Sequence, residues 1–198
     1  MTPLHGLVLA GGRSSRMQAD KAALAYGRQP QLARAFELLA PRVQKAWVSV
    51  RADQRDEPLR ARYPQIVDGA EGSGPIAGII AAQALHPGAA WLVLACDLPL
   101  LDGATVDLLL ARRDPGRVAT AFQGAADGLP EPLCAIYEPA SREPILRHVA
   151  AGHVCPRKFL IRHDALLVQP LHPHALDNAN TPQDVRALRA LLESSGLA

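Results

Sequence analysis

Apolar and polar positions along this chain fall into blocks that switch between the period of a strand and the period of a helix. Leu4 to Ala10 is mainly apolar and reads as a first, buried strand. Leu32, Ala35, Phe36 and Leu39 then recur at helical spacing, which predicts an amphipathic helix near residues 30 to 40 that ends before Pro41. Ala46 to Val50 is a second apolar strand. The polar run Arg51 to Arg62 reads as a loop or a solvated helix, and Ile66-Val67-Asp68 as a short strand with a carboxylate at its end. Ile76 to Leu85 is a helix whose first position suits Pro75, and Trp91 to Ala95 is the most continuous apolar strand of the chain. A helix over Thr105 to Arg113 and a strand over Val118 to Phe122 follow.

The second half is less regular. Gln123 to Pro132 reads as a polar loop, Leu133 to Tyr137 as a strand, Pro139 to Ala151 as a helix, Arg157 to Arg162 as a helical turn and Ala165 to Leu171 as a last strand. Thr181-Pro182-Gln183-Asp184 carries a cap, a first-turn proline and an acid, and Val185, Leu188 and Leu192 mark one face of the helix it opens. Strands alternating with helices at these spacings predict an α/β fold with a mostly parallel sheet.

Composition narrows the picture. A chain of 198 residues, 48% hydrophobic, can bury a full core as one domain spanning residues 1 to 198. The formal charge is +2 without a block of like charge, so nucleic acid is not an expected partner despite a pI near 8.6. Aromatic residues make up 4%, which leaves few platforms on which single strands could stack. Cys96, Cys134 and Cys155 are odd in number and widely spaced, so neither a disulfide framework nor a zinc site follows. No run approaches the roughly 20 apolar residues that cross a bilayer, so no membrane association is expected and the cytoplasm is the expected location. His172-Pro173-His174 reads as a surface turn rather than a ligand pair.

The chemistry concentrates after the first strand. The apolar run stops at Gly11-Gly12, as a strand does where the backbone turns tightly or approaches a ligand. Ser14, Ser15, Arg13, Arg16 and Lys21 follow within ten residues. Bare backbone N–H groups with fixed positive charge are what several phosphates require at once. The Walker loop and the dinucleotide fingerprint both fail here, for want of Gly-Lys-Ser/Thr and of a third glycine. Asp97 ends the most continuous strand, and an aspartate there needs a partner; magnesium, which takes one or two carboxylates plus phosphates and waters, is one. Asp68 either caps the glycine-rich turn after it or meets the ligand. Because ligands of open parallel sheets lie outside the carboxyl ends of the strands, one crevice can collect the loop, Asp68, Asp97 and the Asn178-Ala179-Asn180 turn.

Leu9-Ala10-Gly11-Gly12-Arg13-Ser14-Ser15-Arg16-Met17-Gln18-Ala19-Asp20-Lys21 resembles the Leu-Ala-Gly-Gly-x-Ser-x-Arg-Met-Gly-x-Asp-Lys signature of nucleotidyltransferases, and among them the molybdenum cofactor guanylyltransferases. Gly74-Pro75-Ile76-Ala77-Gly78, Cys96-Asp97-Leu98-Pro99 and Asn178-Ala179-Asn180-Thr181-Pro182 are similar to three further elements of that family. Gln18 stands where the family usually has glycine, and Arg51 where asparagine is common. The resemblance implies a three-layer α/β/α, Rossmann-like nucleotidyltransferase fold and transfer of GMP from GTP to molybdopterin with release of pyrophosphate. It implies Arg16, Lys21 and Asp97 as catalytic residues and Asp97 as the ligand of Mg2+. Nucleotide contacts would come from Leu9, Ala10, Gly11, Gly12, Arg16, Lys21, Asp68, Gly74, Pro75 and Asp97, and metal or pterin contacts from Asn178 and Asn180. The Gly-Pro-x-Ala-Gly segment, which lies against the base in the family, favours guanine over cytosine. Molybdenum cofactor assembly proteins are implied as partners. Two other readings stay open: a nucleotidyltransferase using CTP or another small phosphate, and a nucleotide-binding module without transfer activity. Arg157 and Lys158 read either as a basic pair for the acidic second substrate or as a solvated helix face.

Overall fold

The computed structural model describes residues 2–11, 20–25, 29–69, 74–125 and 127–178. The first strand, β1 (Leu4–Leu9), is followed by helix α1 (Gln31–Leu39), β2 (Ala46–Arg51), β3 (Gln65–Asp68), α2 (Pro75–Leu85), β4 (Ala90–Ala95) and α3 (Gly103–Ala111). Then come β5 (Ala119–Gln123), β6 (Pro130–Tyr137), α4 (Arg142–Ala150), α5 (Pro156–Arg162) and β7 (Leu166–Val168). The strands form one sheet in the order β3-β2-β1-β4-β6-β5-β7. All neighbours pair in parallel except across β6, which runs antiparallel to both β4 and β5. The expected α/β architecture is what the chain adopts.

Side chains of the central strands alternate between two cores, as the period of two requires. Val8, Leu92 and Leu94 join Leu32, Ala35 and Leu39 of α1 and Val106 and Leu109 of α3 on one face. Leu7, Trp91 and Val93 join Ile76, Ile79 and Ala82 of α2, Ile145 of α4 and Phe159 of α5 on the other. The sheet is therefore covered on both sides, which explains why β4 reads as an unbroken apolar run and β1 as a mainly apolar one. No helix among the described residues is long and apolar enough to cross a membrane.

Several boundaries differ from the sequence reading. β6 begins at Pro130, inside what reads as a loop, because the antiparallel partner strand pairs Gln123 with Pro130 and Phe122 with Glu131. The register then shifts between Ala121 and Phe122, an irregularity that no hydrophobic period announces. α3 starts at Gly103, two residues early, because Asp102 caps it by accepting the Thr105 N–H at 2.7 Å. β7 ends at Val168 rather than Leu171.

Gly6 shows how closely α1 is laid on the sheet. A Cβ at this position would stand 1.9 Å from Cδ2 of the fully buried Leu39. Gly6→Ala is expected to cost about 1–3 kcal/mol by overpacking. The cost is read as a lower urea midpoint at unchanged slope; an unchanged midpoint would show that Leu39 can vacate the space.

Candidate functional site

Strand order brings the carboxyl ends of four strands into a row. Asp68 ends β3, Arg51 ends β2, Ala10 and Gly11 follow β1, and Asp97 follows β4. After β1 the chain runs to β2 and β3 on one side and reaches β4 on the other, so the row spans the topological switch point where open sheets bind ligands.

Near the switch point Lys21 meets Asp97. The lysine Nζ donates to Asp97 Oδ2 at 3.0 Å, and both side chains keep about a fifth of their surface, 22% and 20%. Asp97 owes its place to β4, whose six residues are all buried, and to the segment that follows it. Arg34 of α1 donates to the carbonyls of Leu98 and Leu101, which fixes that segment from below.

At the other end of the row, Arg51 donates through Nη1 to the Gly11 carbonyl at 2.6 Å, and forms a forked pair with Asp53 at 2.9 and 2.8 Å. Asp68 Oδ2 accepts from the Ser49 hydroxyl at 3.3 Å, and burial raises its carboxyl above the ordinary value. A Cβ on Gly11 would stand 3.1 Å from this same oxygen, so the glycine permits the close approach of β1's end to Asp68. Gly78 works similarly one layer behind: a Cβ there would stand 2.5 Å from Ser49 Oγ and 2.8 Å from Leu9 Cδ2. The glycine of Gly74-Pro75 has a different reason, since φ is +61° at the position that caps α2, a backbone that side chains disfavour. Both Gly74 and Pro75 are exposed.

Of the residues singled out from sequence, the structure thus places Leu9, Ala10, Gly11, Lys21, Asp68 and Asp97 along the carboxyl ends of β1, β3 and β4, and Gly74 and Pro75 at the start of α2. Gly12, Arg16 and Asn180 lie outside the described residues. Asn178 is exposed in the irregular segment beyond Asp177, and no hydrogen bond among the described residues ties it to Asp97. Among the described residues Asp68 is tied to Ser49, and residues 70–73 of the turn that it is expected either to cap or to leave for the ligand lie outside them. Arg51, where the family resemblance expects asparagine, uses its longer reach to hold the Gly11 carbonyl.

Three residues of this region escaped the sequence reading. Arg34 sits among apolar helix positions, and nothing in the pattern marks it. Glu131 is buried at 7% exposure, and its Oε1 accepts the Leu133 N–H at 3.1 Å. Burial raises its carboxyl, and Asp97 is among the like charges that add to the rise. Arg157 pairs with Glu131 at 3.1 Å and with Asp127 at 2.9 Å on a helix face where it keeps 36% exposure and Lys158 is exposed, so the solvated-face reading holds and Arg157 is committed there to two carboxylates. The third is Arg60, buried at 1% exposure in the run expected to be solvated, where it bonds Ala10 and Asp20.

Cys96 precedes Asp97 but offers no nucleophile. It is buried, and desolvation with the Asp97 charge beside it pushes its thiol up to about 12. Burial raises the Cys134 thiol likewise. An aromatic disulfide reagent at pH 8 is expected to titrate one thiol of the native chain, the partly exposed Cys155, and all three after denaturation. Rapid loss of two or more thiols from the native protein would contradict the packing around Cys96.

Comparison with known proteins agrees with this architecture. The family model described as the MobA-like NTP transferase domain matches residues 6–166. The bifunctional molybdenum cofactor biosynthesis protein of Synechocystis is 37% identical over 183 residues. That match covers 92% of this chain and 53% of the relative, so the chain spans about half of that protein's length. The molybdenum cofactor guanylyltransferase of Rhizobium meliloti is 34% identical, with 94% of this chain and 90% of that one covered. Among solved structures, the molybdopterin-guanine dinucleotide biosynthesis protein A of Archaeoglobus fulgidus shares the fold with a TM-score of 0.79 at 24% identity, covering 96% of this chain and 99% of that one.

Proposed function

The chain belongs to the MobA-like NTP transferase family, and on that premise we propose that it transfers GMP from GTP to molybdopterin, releasing pyrophosphate and forming the guanine dinucleotide. The observation that carries the proposal is the Lys21–Asp97 pair at the switch point, 3.0 Å apart and partly exposed, in the row of strand ends that includes Ala10 and Gly11. The name of the Rhizobium meliloti relative, a molybdenum cofactor guanylyltransferase, supports guanylyl transfer in molybdenum cofactor synthesis over other nucleotides.

In the reaction, a phosphate oxygen of the acceptor forms a bond to the α-phosphorus of GTP while the bond from that phosphorus to the bridging oxygen breaks and pyrophosphate departs. The nucleophile is the substrate's own phosphate, so the protein needs none, in keeping with the raised thiol of Cys96. The chain's task is to hold two anions together and to offset the charge that grows on the leaving group. Lys21 offsets that charge, with Arg16 as a second cation. The backbone of Gly11 and Gly12 lies against phosphate, and Leu9, Ala10, Asp68, Gly74 and Pro75 form the nucleoside side. Asp97 would hold magnesium; a single partly exposed carboxylate suits an ion that takes one or two carboxylates and completes its shell with phosphate and water. Bound there, it would supply positive charge to the triphosphate. Asn178 and Asn180 are proposed to reach the metal or the pterin. Molybdenum cofactor assembly proteins are the proposed partners, and residues 1 to 198 act as one nucleotidyltransferase unit.

The test is direct. With molybdopterin, GTP and magnesium, mass spectrometry is expected to show molybdopterin guanine dinucleotide in step with pyrophosphate. Product formed from CTP in preference to GTP would overturn the guanine assignment. Tight GTP binding without pyrophosphate release, with authentic pterin supplied, would overturn transfer itself.

A further inference from the structure

Arg60 belongs to the polar run between β2 and β3, yet among the described residues it is one of the two largest fully buried side chains, beside Trp91. A guanidinium taken out of water needs an acceptor for each of its five N–H groups. It finds all five. Nε and Nη2 donate to the Ala10 carbonyl at 3.2 and 2.8 Å, Nη2 and Nη1 donate to Asp20 Oδ1 and Oδ2 at 2.8 and 2.6 Å, and Nη1 also donates to Glu57.

We infer that Arg60 is a positioning residue for Lys21, an inference that rests on the site being the GTP site proposed above. Arg60 joins the residue that follows the last position of β1 to the residue that precedes Lys21. Asp20 passes the constraint on, because its Oδ1 also accepts the Ala22 N–H at 3.1 Å. The carboxylate therefore grips the backbone on the far side of Lys21 while its own Cα holds the near side. Lys21 is left with its ammonium 3.0 Å from Asp97. Asp97 hangs from β4, which pairs with β1 through Leu9 and Ala95, so the connections close into a ring from β1 through Arg60, Asp20, Lys21 and Asp97 back to β1.

The chemistry of the ring requires arginine. A planar fork meets a carboxylate with two parallel bonds and a carbonyl with a second pair, which a lysine ammonium cannot do. With every N–H already used, Arg60 has no donor left for a substrate, so its effect on the reaction passes through Lys21. Burial of the Asp20 carboxyl works against its ionisation, but the Arg60 bonds outweigh this and hold it below its ordinary value.

The experiment compares Arg60→Met, Arg60→Lys and Asp20→Asn, each alone and combined with Lys21→Ala, in single-turnover guanylyl transfer. Arg60→Met is expected to slow transfer about 100-fold, the scale on which an ångström of misplacement acts. Arg60→Lys is expected to recover only part of the rate. In the Lys21→Ala background the same changes are expected to add less than about threefold, because residues acting as one unit are not additive. Equal factors with and without Lys21, or a rate for Asp20→Asn near the unsubstituted protein's, would overturn the inference. Asp20→Asn also keeps the comparison alive should Arg60→Met fold poorly. A second readout needs no turnover. Lys21, Lys45 and Lys158 are the chain's three lysines, so the 13C-methyl resonance of Lys21 in the reductively methylated protein can be assigned by its loss in Lys21→Ala. It is expected to move in Asp20→Asn toward its position in Asp97→Ala, and an unmoved resonance would overturn the ring even if the protein proved to transfer no GMP.

Discussion

Asp97→Ala is expected to lower guanylyl transfer by about 10^3-fold or more while leaving the fold intact, because the residue supplies charge placement at the reacting end of GTP. The two halves of this expectation have separate physical grounds. Among the described residues the side chain's hydrogen bond is to Lys21, and breaking a pair of which both partners keep about a fifth of their surface costs about 1–2 kcal/mol, between an exposed and a fully buried pair. β4 stays in place on its own packing, since its six residues are buried. A melting temperature within a few degrees of the unsubstituted protein's, together with a lost rate at saturating GTP and magnesium, is the expected pair of results. Near-normal turnover would remove Asp97 from the mechanism. A fall in stability matching the fall in rate would make it a structural residue.

Lys21→Ala is expected to lower the rate constant of transfer by about 10^2–10^3-fold, the cost of removing one placed donor at developing charge. Its ammonium stands within 3.0 Å of Asp97 and so lies where the triphosphate is to be held. Lys21→Arg is expected to restore little, because a planar guanidinium on a longer stem cannot occupy the place of a compact ammonium set by Asp20 and Ala22. The check is pyrophosphate release in a single turnover at saturating GTP, and a rate within threefold of the unsubstituted protein would exclude the lysine from the chemistry.

What was legible in sequence follows from where physics leaves a trace in the linear order. A sheet covered on both faces makes its central strands mainly apolar, so β1 and β4 stand out, and the groups just past their ends, Gly11 and Asp97, stand out with them. β6 was harder at its start. Pro130 and Pro132 beside Gly128 read as loop, and the strand's entry depends on partners far away in the sequence rather than on its own period. Arg60 was illegible for a related reason. A polar run reads as solvated until its acceptors are known, and these, Ala10 and Asp20, lie 50 and 40 residues earlier. The Arg157–Lys158 pair reads as a solvated face from its charge alone, but the carboxylates that meet Arg157 on that face, Glu131 of β6 and Asp127 of the turn before it, lie 26 and 30 residues earlier and leave no trace in the local pattern.

The measurement that bears most directly on the account is calorimetric titration of the protein and of Asp97→Ala with GTP, CTP, ATP and UTP, each with and without magnesium. GTP bound in preference to the other three, more tightly with magnesium, and more weakly by Asp97→Ala, is the predicted result. Absence of triphosphate binding, or binding that neither magnesium nor Asp97 affects, would contradict a magnesium-assisted GTP site at the ends of β1 and β4.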